Sequence, residues 1–431
     1  MKKRETILHD IVFAMVKLSE ILKERGYLYQ HSSAKVAEIT DGPKRTLYHG
    51  VDPSADSLQI GQLIGFLVLR HFLEDGHKII LVVGGGTGMI GDPGGKAAER
   101  ALLDAETVRQ NAEKITEQVK RLLGSADFTL LNNNDWLRNL TTIEFLRDVG
   151  KHFTVNTMLQ REFIKERVKD PDEGISYTEF SYALLQSYDY FHLHREYGCD
   201  LQVGGSDQWG NIVSGVDFVR RKTGDLVYGL TWPLMIDSAT GKKYGKSEQG
   251  TIWLDALKTT PYQLYQFMLN TDDDMAKTML LKLTTLTMTE IDAALELQKR
   301  DPKERHAQHV LAREVTALVH GQEEAAKAEQ VSQVLFGDTA LQTLERGALE
   351  TMKSSAPSQE IRSGISIVDA LVASKLASSN REARQFLADK AIILNSTLIT
   401  DPKYMLNSDD FFGGVALLKR GRRHVCVLVQ H

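Results

Sequence analysis

At 431 residues the chain is long enough for two or three separately cored domains, and its 42% hydrophobic and 25% charged residues describe ordinary globular matter, not a small stapled scaffold. The net charge of −5 does not advertise a nucleic-acid partner, but residues 361–431 carry ten Lys/Arg against six Asp/Glu, which leaves −9 on the first 360 and makes the tail the basic end. Cys199 and Cys426 match no ligand spacing, no apolar run reaches membrane-spanning length, and the start MKKRETILHD lacks an apolar signal core; no disulfide framework, structural zinc or membrane partner is expected, and the chain reads as soluble and cytoplasmic.

Taken in chain order, residues 11–25 show helical spacing and stop at Gly26. Thr46-Leu47-Tyr48-His49 reads as a short buried strand ending at Gly50, residues 62–74 as a helix, and Lys78–Val83 (KIILVV) as a near-continuous apolar strand running into three glycines. Strand, helix and strand in that order imply a parallel α/β sheet with ligands at the carboxyl ends of its strands. Residues 97–122 read as helix, and from about 258 to 345 the pattern is almost wholly helical and charged. Ser354-Ser355-Ala356-Pro357-Ser358 has linker composition. Beyond it a helix from Ile367, a second near Arg381–Leu387, and strands around Ala391–Leu394 and Val415–Leu418 make a compact α+β unit. The domains expected are 1–257, 258–353 and 365–431, with a linker over 354–364.

Two phosphate-binding patterns are set aside. Gly86-Thr87-Gly88-Met89-Ile90-Gly91 fits the dinucleotide glycine spacing, but Asp92-Pro93 breaks the chain where a helix should follow. Gly245-Lys246-Ser247 ends like a P-loop without the upstream glycine. Four other segments carry the chemistry. Tyr48 to Gln62 (YHGVDPSADSLQIGQ) is a strand end, a Pro turn and a helix start, which presents backbone donors to phosphate, with Gly61 leaving room for a flat ring. Tyr182, Gln186 and Asp189 share one helical face at i, i+4, i+7, a polar trio that is costly to bury unless something satisfies it. In Gly204-Gly205-Ser206-Asp207-Gln208-Trp209-Gly210-Asn211 the glycines admit a ribose and Asp207 can accept from its hydroxyls. Lys242-Lys243-Tyr244-Gly245-Lys246-Ser247 concentrates cations on a glycine-containing loop suited to polyphosphate.

Segment 46–100, with GDPGGK and Glu99-Arg100, then 176–189, GGSDQWGN and KYGKS together resemble the tyrosyl branch of the class I aminoacyl-tRNA synthetases, over nearly the whole chain. The resemblance implies a Rossmann-like parallel-sheet catalytic domain, an all-helical anticodon-side domain and a small α+β S-four-like RNA-binding domain. It implies tyrosine activation by ATP with Mg²⁺, transfer to tRNA(Tyr), and a homodimer whose subunit contact includes Thr141–Gln160. Residue by residue, Tyr48 and Asp189 correspond to the pair that bonds the substrate phenol, Asp92, Tyr182 and Gln186 to the ligands of its ammonium, and Gln208 lies near its carboxylate. Gly50, Asp52, Gly61, Gly205, Asp207 and Lys246 correspond to the ATP site. Ser54, Gln59, Gln62, Lys96, Arg100, Lys243, Lys246 and Ser247 correspond to groups that act on the phosphates, and Arg381, Arg384 and Lys390 to RNA contacts.

One departure is plain. The family's His-Ile-Gly-His signature is Gln59-Ile60-Gly61-Gln62 here, so both imidazoles are amides, which still donate neutral hydrogen bonds. Two other readings follow from different weightings of these features. A synthetase-like RNA-binding protein that has lost adenylation would fit the double replacement, although the lysine loop and complete pocket oppose it. A small-molecule nucleotidyltransferase of the same fold would not need the basic tail.

Overall fold

The structure is a computed structural model and describes residues 16–92, 103–124, 127–161, 164–165, 168, 174–236, 241, 244–247, 250–337, 339–362, 364–421 and 424–430. It divides into two compact units, residues 1–255 with 281–283, and residues 256–280 with 284–431.

The first unit is built on a six-stranded sheet in the order β1-β6-β5-β2-β3-β4. The strands are β1 (Gln30–His31), β2 (Thr46–Val51), β3 (Lys78–Val83), β4 (Thr129–Asn132), β5 (Leu201–Gly205) and β6 (Tyr228–Trp232). All pair in parallel except the short edge strand β1. The KIILVV run forms β3 because a strand buried on both faces can be apolar at every position, and five of its six residues are buried. Helices α1 (Leu18–Glu24), α2 (Leu63–Glu74), α3 (Ala105–Leu123), α4 (Tyr177–Tyr197) and α5 (Trp209–Thr223) accompany it. Local chemistry sets their limits. Ser176 accepts from the Glu179 amide to start α4, and Gly198, at φ 64°, ends it in the left-handed region. The helix expected over 97–122 begins at Ala105 behind the Asp104 cap, with 97–102 outside the described residues. Of the helix expected over 11–25 the structure shows Leu18–Glu24 (α1): Lys17 before it is extended, Arg25 caps its end, and residues 11–15 lie outside the described residues.

From β2 the chain proceeds to β3 and β4 on one side of the sheet, whereas β5 and β6 build the other, so the order reverses between β2 and β5. That reversal is where an open α/β sheet takes ligands. The register shows the crevice beginning. β2 matches β3 over six residue pairs but β5 over only Leu47↔Leu201 and Tyr48↔Gln202. Beyond them His49 fills the gap, its Nδ1–H donating to the Val203 carbonyl at 3.2 Å.

The short strands β7 (Lys246–Ser247) and β8 (Gly250–Thr251) form a hairpin. The second unit begins with helices α6 (Pro261–Leu269), α7 (Asp273–Leu283, whose last three residues group with the first unit), α8 (Met288–Arg300), α9 (His306–His320), α10 (Gln322–Phe336) and α11 (Arg346–Ser355). It ends in a sheet ordered β11-β10-β12-β13-β9. The strands are β9 (Ser358–Ile361), β10 (Ile392–Leu394), β11 (Thr397–Leu398), β12 (Val415–Arg420) and β13 (His424–Gln430), with α12 (Ile367–Ala373) and α13 (Asn380–Ala388) packed on the same core. Segment 354–364 therefore differs from a linker. Helix α11 runs through Ser355, and Ser358–Ile361 pairs in parallel with β13, burying Ile361 in the core. Backbone pairing with β13 outweighs the Ser/Pro composition.

Candidate active site

The crevice between β2 and β5 opens into a cavity of about 340 Å³. Every expected pocket residue whose side chain is described lines it: Tyr48, Asp92, Tyr182, Gln186, Asp189 and Gln208, together with Gly50, Asp52, Ser54, Gln59, Gly61, Gln62, Gly205 and Asp207. Helical spacing on α4 thus places Tyr182, Gln186 and Asp189 on one wall.

At the closed end stand Tyr48, from β2, and Asp189, from α4. The Tyr48 hydroxyl is buried and has no hydrogen-bond partner among the described residues. Asp189 is 4% exposed. Its two oxygens accept from Trp136 Nε1 at 2.7 Å and Asn133 Nδ2 at 2.9 Å. Burial pushes its carboxyl up to about 7 against those two donors, with the charge of Asp52 adding to the rise. Burial also raises the Tyr48 phenol, and Asp189 raises it further. An unpartnered hydroxyl beside a buried carboxylate is an expensive arrangement for an empty site. A ligand hydroxyl placed between them satisfies both, since it donates to the carboxylate and pairs with the phenol.

The middle of the pocket is acidic. Tyr182 donates its hydroxyl hydrogen to Asp52 Oδ2 at 2.7 Å, Thr87 donates to Asp52 Oδ1 at 3.0 Å, and Gln208 Nε2 donates to Asp92 Oδ2 at 2.6 Å. Burial, then Asp52 and Asp92, drive the Tyr182 phenol well above its ordinary range, so it stays protonated with its oxygen able to accept from a cation. This is a cradle for an ammonium group. His49, edge-on to Phe66 and tilted against Trp232, is pushed down to about 4 by burial and is therefore a neutral wall residue.

The side of the cavity lined by Gln59, Gly61 and Gln62 is shaped by contact between two motifs distant in sequence. The Gln59–Gln62 turn leads into α2, and Gln62 Oε1 accepts from the Gln59 amide at 2.8 Å, so one of the two replacement amides also caps its own turn. The loop carrying Tyr244 and Gly245 lies against this turn: Ile60 N–H donates to Ile252 O at 3.0 Å and Ile252 N–H to Gly245 O at 2.9 Å. Gly245 sits at φ +82°, where a Cβ would come 2.2 Å from Ile60 Cγ2. The structure thereby carries the backbone of Lys246 and Ser247, in β7, to the Gln59–Gln62 turn. Lys96, Arg100 and Lys243 lie outside the described residues, and for Lys246 and Ser247 the backbone alone is described. Arg381 and Arg384, on α13, and Lys390 just after it are exposed residues of the second unit.

Residues that the motifs did not single out are Asn133, Trp136 and Thr87. They sit at or beyond the carboxyl ends of β4 and β3 and hold the carboxylates in place. For Asn133 and Trp136 the available signal was the run of three asparagines, Asn132 to Asn134, at the carboxyl end of β4.

Comparison with known proteins agrees with this geometry. The family model for class I tRNA synthetases (W and Y) matches residues 41–337, and the one for the tyrosine–tRNA ligase SYY-like C-terminal domain matches 348–428. The chain is 42% identical over 426 residues to a tyrosine–tRNA ligase of Escherichia coli O1:K1, covering 97% of this chain and 99% of that one. It is 43% identical over 422 residues to the tyrosine–tRNA ligase of Shigella boydii serotype 18, covering 96% and 99%. Among solved structures, a C-terminally truncated mitochondrial tyrosyl-tRNA synthetase of Aspergillus nidulans superposes with a TM-score of 0.68 at 31% identity, over 74% of this chain and 94% of that one. A tyrosyl-tRNA synthetase of Archaeoglobus fulgidus shares the fold, with a TM-score of 0.52 at 14% identity over 72% of this chain and 99% of that one. By its sheet, its pocket and these matches, the chain belongs to the class I tRNA synthetases of the W and Y group.

Proposed function

We propose that the protein is a tyrosine–tRNA ligase, which condenses L-tyrosine with ATP to tyrosyl-adenylate, releasing pyrophosphate, and transfers the tyrosyl group to the 3′ end of tRNA(Tyr), releasing AMP. The observation that carries this reading is the unpartnered Tyr48 hydroxyl beside the Asp189 carboxylate, a pair that selects a phenol over a bare ring. Asp92, Tyr182 and Gln186 hold the substrate ammonium, and Gln208 the carboxylate, which attacks the α-phosphorus of ATP in line. The protein supplies position and charge stabilisation and needs no side-chain nucleophile. Gly50, Asp52, Gly61, Gly205 and Asp207 receive the nucleotide. Ser54, Gln59 and Gln62 donate to the phosphates with neutral hydrogen bonds, Lys96 and Arg100 gather charge near the substrates, and Lys243, Lys246 and Ser247 clamp the leaving pyrophosphate in the transition state. ATP enters as its magnesium complex, in which the phosphates themselves supply most of the ligation.

Residues 1–257 carry this chemistry, 258–353 face the anticodon side of the tRNA, and Arg381, Arg384 and Lys390 bind RNA backbone. The protein acts in the cytoplasm as a homodimer. Supporting the dimer, Ile143 and Val155 in the 141–160 segment are 71% and 58% exposed, apolar surface that a partner subunit would cover. Aminoacylation of total tRNA, with the charged amino acid identified, tests the reading. Tyrosine on the tRNA supports it, and absence of charging in a folded preparation overturns it.

A further inference from the structure

Behind the Gln208–Asp92 contact runs a row of hydrogen bonds whose direction is imposed from its two ends. Arg161 Nη2 donates to Ser214 Oγ, whose own hydrogen is given to the Gly210 carbonyl at 2.7 Å. Arg161 Nη1 donates to Asn211 Oδ1 at 3.5 Å, Asn211 Nδ2 donates to Gln208 Oε1 at 3.3 Å, and Gln208 Nε2 donates to Asp92 Oδ2 at 2.6 Å. A guanidinium can only donate and an ionised carboxylate can only accept. The two amides between them therefore have one satisfactory orientation each. Turning Asn211 over would set its NH₂ against the guanidinium. It would also oblige Gln208 to aim its oxygen at Asp92, acceptor against acceptor. Asn211 is buried, and burial holds the Arg161 guanidinium down to about 10 against the opposing pull of Asp92, so it remains a cation at neutral pH.

We infer that Arg161 is a positioning residue for tyrosine activation: through Asn211 it fixes the Gln208 amide so that its NH₂, and not its oxygen, faces the carboxylate of the substrate. The need is greatest in the substrate complex. When the tyrosine ammonium engages Asp92, the acceptor end of the row is shared with a competitor, and the Arg161 end keeps the amide from turning. A Gln208 oxygen facing the substrate carboxylate would repel the nucleophile at the position from which it must attack phosphorus. The inference rests on the reading that Gln208 and Asp92 receive the carboxylate and ammonium.

The test compares full-length Arg161→Met, Arg161→Lys, Asn211→Asp and Gln208→Ala proteins for binding of tyrosine and of tyrosinol, which has a hydroxymethyl group in place of the carboxylate. Asn211→Asp is nearly isosteric and keeps an acceptor for Arg161 while removing the donor to Gln208. Arg161→Met and Asn211→Asp should each weaken tyrosine about tenfold and leave tyrosinol within about twofold, with Arg161→Lys restoring most of the loss. In ATP–pyrophosphate exchange the KM for tyrosine should rise while that for ATP stays unchanged. Equal weakening of tyrosine and tyrosinol would mean a merely structural role and overturn the inference. So would unchanged tyrosine binding in Arg161→Met and Asn211→Asp while Gln208→Ala weakens it. If Gln208→Ala itself does not distinguish the two ligands, the failure lies in the placement of Gln208, and the inference falls with it. Should Arg161→Met lower the melting temperature, Asn211→Asp still decides the question.

Discussion

At the closed end of the crevice, Asp189 is held by Trp136 and Asn133 and lifted by burial to about 7. A carboxyl raised in the folded protein contributes stability that is complete below its unfolded value, near 4, and is lost as pH climbs through about 7. The ligand-free protein thus carries a strained ionised carboxylate at pH 8, and a phenol donating a charge-assisted hydrogen bond relieves it. Tyrosine should raise the melting temperature more at pH 8 than at pH 6, and its affinity should fall by up to about tenfold per unit as pH drops below 7. Titration calorimetry across that range checks this, and a flat profile would count against the ionised acceptor. Replacing the carboxylate outright, Asp189→Ala should cut discrimination between tyrosine and phenylalanine by roughly 10- to 100-fold, the worth of a buried hydrogen bond to a charged group. Undiminished selectivity in exchange assays would refute the assignment. Tyr48, Asp189 and Gln208 were legible in the sequence because short motifs contain them. Trp136 and Asn133 were not, because what makes them functional is their hydrogen bonds to Asp189, more than fifty residues further along the chain, and local sequence does not show that pairing.

The elements that matter most are the Gln59–Gln62 turn and the loop pressed against it. If Gln59 acts on the phosphate in the transition state, as proposed, Gln59→His should leave tyrosine affinity within about twofold and change the rate of adenylate formation. Single-turnover kinetics separates the two, and an effect confined to tyrosine binding would show the motif to be misaligned. Gly245→Ala forces a Cβ into Ile60 at a positive φ. It should displace the following Lys246–Ser247 backbone and lower the exchange rate about tenfold or more, with tyrosine affinity retained. A variant as fast as the parent would detach this loop from the chemistry. At this scale β2, β3, β10 and β12 and the helices α2, α3 and α13 were readable, because apolar periodicity and capping residues act locally. β9 was not: Ser-Gln-Glu-Ile has no strand signature, and its pairing with β13 joins residues some 70 apart in sequence.

For the molecule as a whole, β9 changes where it can be cut. A chain ending near Gly364 would keep Ser358–Ile361 without its partner β13, exposing an unpaired strand. Ending at Ser355, after α11, avoids this. Such a chain should retain tyrosine-dependent exchange within about twofold but require roughly tenfold or more tRNA for aminoacylation, with a flatter salt dependence, because the exposed Arg381, Arg384 and Lys390 contacts are gone. Equal loss of both activities would assign residues 356–431 to stability instead. The helical run after residue 258 and the mixed helices and strands after 365 were legible from composition and patterning, while the pairing of Ser358–Ile361 with β13 depended on contacts across the chain. The central claim, that the Tyr48–Asp189 pocket commits this enzyme to tyrosine, is tested most directly by ATP–pyrophosphate exchange of the full-length protein with tyrosine, phenylalanine and tryptophan in parallel. The expected result is exchange with tyrosine and a fall of at least about a hundredfold in kcat/KM for the other two; exchange with tryptophan or phenylalanine at a comparable rate, or none with tyrosine, would refute the assignment.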